Sequence, residues 1–375
     1  MRTGRRVRSH AGGVALAVAM TTALAGCTGI IDMIAPSEQE ELAAEIRGRA
    51  SQGIADLGEQ TRRAGQLRAL LVTVDGEPIL DETFDSTAAD GWDTADVTMS
   101  VMSTLIGIAI ADGSVPGVDA TLAELLPDHA DQMGAQLAGA TLDDVLTHTA
   151  GLAGTHEGPS YTFEQADDWI AQILADAVRP PGRTFDFSDG GAHLLSAILE
   201  QATGVSALEF ARERLFGPLG IDTSIAFDGP LAQAADDDAA VGWPVDPQGL
   251  STGWSHLRLR PADLAAIGNL YLQDGRWQGE QVVPAEWVRL ATSDRLGGVP
   301  IRAGVTDGYG YLWWRTTFHE DPAYLAWGFG GQVIEVVPAR GLVAVAATEF
   351  DPTVDADVGL LPSQLLPLLE GLVPG

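Results

Sequence analysis

No lysine occurs anywhere in the 375 residues: all 21 basic side chains are arginine. Arginine stays protonated in proteins and is a poor general base, so chemistry that relies on a lysine proton acceptor is excluded. Cysteine is nearly absent too. Cys27 stands alone, which rules out an internal disulfide. Positive charge is scarce against 52 acidic residues, and the formal net charge is -31. So acidic a surface repels phosphate backbones and argues against nucleic-acid binding; we read the acidity as a solubility feature. There is no HExxH, no P-loop and no GxGxxG after a strand, so no cofactor is expected.

What is present begins with an export signal. Arg2, Arg5, Arg6 and Arg8 form a basic start, Ala11 to Ala23 a small-residue apolar run, and Leu24-Ala25-Gly26-Cys27 a lipobox. Residues 1–26 therefore read as a lipoprotein signal peptide and Cys27 as the lipidated residue; the alternative is an ordinary cleaved signal with an incidental cysteine. Two acyl chains on Cys27 would hold the protein stably. The expected location is the outer face of the bacterial cytoplasmic membrane. Arg5-Arg6 lacks the apolar residues that follow a twin-arginine pair, so the export route stays open. Loss of residues 1–26, with four arginines and no acid, takes the formal charge from -31 to -35.

With 46% hydrophobic residues, the remainder is long and apolar enough for a large core. Residues 27–66 read as a tether followed by a helix, its capping box being Ser37 and Glu40. Leu67 to Asp75 and Pro78 to Phe84 are β-rich runs around Asp75-Gly76, a hairpin signal. From Asp96 to Asp112, Met99, Met102, Ile106 and Ile110 recur at helical spacing, so a helix with a buried stripe is expected. Thr162 to Val178 reads as helix, ended by Pro180-Pro181-Gly182. Asp236-Asp237-Asp238 has neither EF-hand spacing nor a histidine partner, and reads as a solvated loop, not a metal site. Strong strand patterns return only at Val333 to Val337 and Leu342 to Thr348, before a closing helix from about Asp355 to Leu372.

Several long phrases resemble the serine β-lactamase and penicillin-binding superfamily, in its class C, DD-peptidase, esterase and 6-aminohexanoate-dimer hydrolase-like branch. They are DVTMSVMSTLIGIAIADG from Asp96, TLDDVLTHTAGL from Thr141, FDFSDGGAHLLSAILEQATG from Phe185, Leu250 to Val288, and Tyr309 to Trp314. The resemblance implies an α/β (α+β) β-lactamase/transpeptidase-like fold over 67–375. Its antiparallel sheet would be built from N- and C-terminal strands flanked by helices, with a mostly helical insertion at about 96–260.

The same resemblance locates the site and shows it altered. Where the family's helix opens SxxK, with a nucleophilic serine and a lysine base, this chain has Asp96 and Met99. Where YxN supplies a proton-shuttling tyrosine and a substrate-holding asparagine, it has Phe187 and Asp189. At the third motif, a glycine-rich strand edge that docks substrate, Trp327, Gly328, Gly330 and Gly331 remain, without the basic or histidine side chain. In this context His148 is expected to be structural, in a helix-ending turn, and His193 to pack or cap.

No catalytic residue is intact, and four changes in one pocket point to loss of the reaction. The expectation is a catalytically inactive, membrane-tethered relative that binds a peptide, muropeptide, amide-like ligand or envelope protein. One alternative is a hydrolase of esters, amides or β-lactams using a non-standard residue set. Another is a purely structural lipoprotein with an occluded cleft. Asp96 and Asp189 add a further possibility, since two carboxylates in one cleft would raise one pKa and suit acid/base work or a cation.

Overall fold

A computed structural model describes residues 41, 44–49, 52–53, 67–155, 163–236, 239–297, 306–349 and 362–372. Cys27, the Ser37 capping box and Asp237-Asp238 lie outside the described residues. Strands β1 (Leu67–Val74) and β2 (Glu77–Thr83) form the expected hairpin. Asp75 and Gly76 both take positive φ, 51° and 83°, as a two-residue hairpin turn with the right-handed twist requires.

The other strands are β3 (Trp92–Asp93), β4 (Arg258–Leu259), β5 (Arg276–Trp277), β6 (Glu280–Gln281), β7 (Gly308–Tyr309), β8 (Trp314–Phe318), β9 (Asp321–Gly328), β10 (Gln332–Val337) and β11 (Leu342–Thr348). Seven make one antiparallel sheet in the order β2-β1-β11-β10-β9-β8-β7. The hairpin at the start of the described domain thus finds its partner in β11, as the sequence led us to expect. Separate two-stranded ribbons pair β3 with β4 and β5 with β6.

Every residue of β10 and β11 is buried, so the sheet is covered on both faces. On one face lies a helix we call α3 (Pro261–Leu272) after α1 (Val97–Ala111) and α2 (Asp189–Thr203). A Cβ at Gly268 of α3 would lie 2.5 Å from Val343 Cγ1 and 2.8 Å from Ile334 Cγ2, so glycine lets this helix sit directly on the strands. Glu335, one residue on from Ile334, alternates to the other face. There the charge of Glu370, on the closing helix α4 (Pro362–Leu372), acts on it.

Helix α1 departs from the expected single stripe. Thirteen of its fifteen residues are buried, because it runs between α2 and the sheet. A helix apolar on all sides is one enclosed by its neighbours. Thr104 Oγ1 and Tyr271 OH, 2.8 Å apart, join α1 to α3. The stretch expected as helix from Thr162 to Val178 is shorter: a 3₁₀ turn at Phe163–Gln165 and a helix only at Trp169–Ala175, capped by Asp168. Asp168 Oδ1 accepts the Ala171 N–H, which sets a helix start seven residues later than expected. The closing helix is described over Pro362–Leu372; the earlier part of the stretch expected from about Asp355 lies outside the described residues.

Candidate functional site

The N-terminus of α1 meets the turn between β9 and β10. Asp96 is the N-cap residue but gives its own helix no side-chain cap. Instead its Oδ2 accepts the Phe329 N–H at 2.7 Å. Gly328 makes that approach feasible: a Cβ there would lie 2.6 Å from the Thr94 carbonyl oxygen and 2.8 Å from the Asp96 nitrogen. Gly330 and Gly331, with φ of 82° and 103°, carry the chain through a left-handed bend that disfavours other residues. The bend is tied down by Thr348 Oγ1, which donates to the Gly330 carbonyl at 2.9 Å.

Burial lifts the Asp96 carboxyl to about 6, against opposing hydrogen bonds from the Phe329 N–H and its own N–H. Asp189, in the first turn of α2, is only 4% exposed. Its N–H donates to Thr155 Oγ1 at 3.2 Å. Its Oδ1 is buried without a hydrogen-bond partner. Burial, and then the charge of Asp96, push the Asp189 carboxyl up to about 8. Burial and neighbouring carboxylates thus favour the protonated form at both positions. The structure brings Asp96 and Asp189 within electrostatic reach of each other.

Met99 is 1% exposed and belongs to the core, one turn below Asp96. A thioether there can neither take a proton nor hold a charge. Phe187 is half-buried. It stacks on Trp314 with centroids 5.9 Å apart and tilts against His148 at 4.6 Å. Trp314 in turn meets Trp327 at 5.6 Å and Tyr309 at 4.6 Å. Phe187, just before α2, thus joins an aromatic cluster with strand residues Tyr309, Trp314 and Trp327.

His148 sits in a turn at φ 55° and is buried. Its Nδ1 accepts the Ser188 N–H at 3.2 Å, and burial alone drops its pKa to about 3, so it stays neutral. His193 lies inside α2, not at its start, and its Nε2 meets Asp246 Oδ2 at 3.0 Å with both side chains fully buried. Neither faces the carboxyl pair as a free imidazole.

Other residues enter the site that motif matching passed over. The Asp93 carboxylate on β3 accepts from the Ala95 and His256 backbone N–H groups and meets His256 Nδ1 at 2.8 Å. Burial works to lower the His256 pKa, but the hydrogen bond and charge of Asp93, with Glu164 and Asp96, raise it overall. Glu164 stands in the same field, its pKa raised by burial and partly offset by His256. His256 stands where the family-like phrase specifies no residue, so no motif singled it out, and its backbone φ of 72° is known only from the structure.

The β-lactamase family pattern matches residues 51–365. Penicillin-binding protein 4 of Amycolatopsis lactamdurans is 26% identical over 312 residues, 75% of this chain and 80% of that protein. Among solved structures, a penicillin-binding protein homologue from Caulobacter crescentus superposes with a TM-score of 0.65 at 18% identity, covering 88% of this chain and 96% of its own. A family VIII carboxylesterase does so with a TM-score of 0.63 at 16% identity, covering 92% and 99%. These last two share the fold. By the match across 51–365, the chain belongs to the β-lactamase family.

Proposed function

We propose that this β-lactamase-family chain works by recognition and not by turnover. It is a lipoprotein held through Cys27 on the outer face of the bacterial cytoplasmic membrane. Its cleft takes a peptide, muropeptide or amide-like ligand, or a segment of an envelope protein. The observation that carries this reading is the Asp96–Phe329 hydrogen bond of 2.7 Å. The residue at the nucleophile position has no hydroxyl to attack with, and its carboxyl is already engaged as an acceptor by the Phe329 N–H. Attack by Asp96 on an ester or amide would give a labile anhydride, with no lysine in the chain to activate or resolve it.

One observation favours hydrolysis through a non-standard residue set. The His256 imidazole is oriented by the Asp93 carboxylate, 2.8 Å away, beside the two titrating carboxyls. A single assay separates the two readings. Full-length protein in detergent micelles is treated with a fluorescent penicillin, a fluorophosphonate and chromogenic esters. A variant carrying Asp96→Ser, Met99→Lys, Phe187→Tyr and Asp189→Asn is treated alongside. The unaltered chain is expected to be inert and the variant to label or turn over. Labelling or turnover by the unaltered chain overturns the recognition reading, and mapping the modified residue identifies the nucleophile.

A further inference from the structure

Asp189 has an unusual position for a carboxyl. It is 4% exposed, the Thr155 hydroxyl accepts its N–H and hydrogen-bonds its carboxyl, and its Oδ1 alone has no hydrogen-bond partner. A buried acceptor left unpaired costs about 1–3 kcal/mol. That cost is recovered by any ligand that brings a donor. The groups whose charges reach Asp189 are Asp96, Glu164 and His256. Of these only His256 is basic, and its Nδ1 is already engaged by Asp93.

Aromatic rings stand close to both carboxyls along the chain: Trp327 two residues before Phe329, whose N–H binds Asp96, and Phe187 two residues before Asp189. From Asp96 the contact path runs through the Phe329 N–H and Gly328 to Trp327. It continues through Trp314 to Phe187, two residues before Asp189. Phe187 and Trp327 are half-buried, and Phe329 at the turn is 45% exposed. Ring faces carry negative quadrupole charge and attract organic cations. The acidic surface of the whole chain adds to the same attraction.

We propose that this carboxylate-and-aromatic lining binds the ammonium group of an organic ligand, such as an amine-bearing peptide. Asp96 and Asp189 are the anionic partners, and Phe187 and Trp327 the cation–π surfaces. The proposal rests on the recognition reading and gives its ligand a chemical class. An ammonium group needs about three acceptors and gains from rings, whereas magnesium or calcium needs six or more oxygens. Among the described residues no three His, Cys, Asp or Glu side chains are placed to hold a metal ion.

A cation beside Asp189 favours its ionised form, so binding near neutral pH releases a proton. Asp96, Glu164 and His256 face the same space, with Asp93 behind His256, and share in that release.

The test is calorimetric titration of the full-length protein in dodecyl maltoside micelles with phenethylammonium, and with phenethyl alcohol as the uncharged counterpart. Titrations at pH ~7, near the pKa values in question, in phosphate and in MOPS count the protons released. Phenethylammonium is expected to bind saturably with proton release, and the alcohol not to bind. Asp96→Asn and Asp189→Asn are each expected to weaken binding roughly tenfold or more, and Trp327→Leu by roughly threefold or more. Asp96→Asn keeps the shape and an acceptor for the Phe329 N–H, and serves as a second variant independent of Asp189→Asn. Equal binding of alcohol and ammonium overturns the site, as does undiminished binding by Asp96→Asn. Displacement of the ammonium by calcium with Trp327→Leu unaffected overturns the organic ligand. Ester turnover reads the function separately. An active chain that still binds ammonium removes the recognition reading and leaves the site; an inert chain that binds none does the reverse.

Discussion

At position 189 a carboxyl is held nearly out of water with one oxygen unpaired, and its pKa rises from 3.8 to about 8. An acid whose folded-state pKa is raised binds more protons folded than unfolded across that interval, so stability falls as pH rises from about 4 to about 8. Asp189→Asn removes the titration while keeping the shape. The variant is expected to match the wild type near pH 4 and to exceed it by roughly a few kcal/mol above pH 8. Guanidinium unfolding midpoints across that range check this; identical pH profiles for both proteins refute it. The identity of this residue, with Asp96, Met99 and Phe187, was legible from aligned motif phrases. That one of the two carboxyls would be raised was legible as well; that burial is the larger cause at Asp189 was not, because its enclosure and the charge of Asp96 arise from elements 93 positions apart in the chain. The Asp93–His256 pair was hidden for the same reason, with 163 positions between its members.

Among the elements, α1 shows how packing overrides local propensity. Glycine inside a helix usually costs about 1 kcal/mol relative to alanine. At Gly107, however, an added Cβ would lie 2.3 Å from Trp287 Cγ and 2.4 Å from its Cδ1. Trp287 is 4% exposed and has little room to retreat. Gly107→Ala is therefore expected to destabilise the protein by about 1–3 kcal/mol, the usual cost of overpacking, in place of the gain that propensity suggests. Urea denaturation decides the sign. Helical periodicity in the sequence located α1 to within a residue at each end. It could not reveal the helix's burial on nearly every side, since an apolar run reads the same whether one face or all are covered. The β1–β2 hairpin was fully legible, because Asp75-Gly76 dictates the turn locally. The late start of the helix at Trp169 was not, since the Asp168 cap and the contact of Gln248 Oε1 with the Trp169 N–H come from folding.

For the molecule as a whole, the proposed address depends on one atom, the Cys27 sulfur. With two acyl chains there, the protein is expected in the membrane fraction of a lipoprotein-processing bacterium, and Cys27→Ala in the soluble exported fraction. Equal membrane retention of both forms refutes the anchor. No helix among the described residues is long and apolar enough to cross a membrane, so an alternative span is not offered by them.

The sequence by itself determined that a serine–lysine dyad cannot be assembled here. Composition is independent of folding, and a chain without lysine supplies none in any conformation. It also determined the β1–β2 hairpin, helix α1, the last two strands and the identity of the residues at the four motif positions, since those are patterns along the chain. Only the tertiary structure decided what the altered residues became. It placed Asp96 on the Phe329 amide, sealed Met99 into the core, left Asp189 Oδ1 without a partner, and packed Phe187 and Trp327 against Trp314. A side chain's chemistry is local, but its solvent exposure, its neighbours' charges and its hydrogen bonds come from segments that meet only when the chain folds.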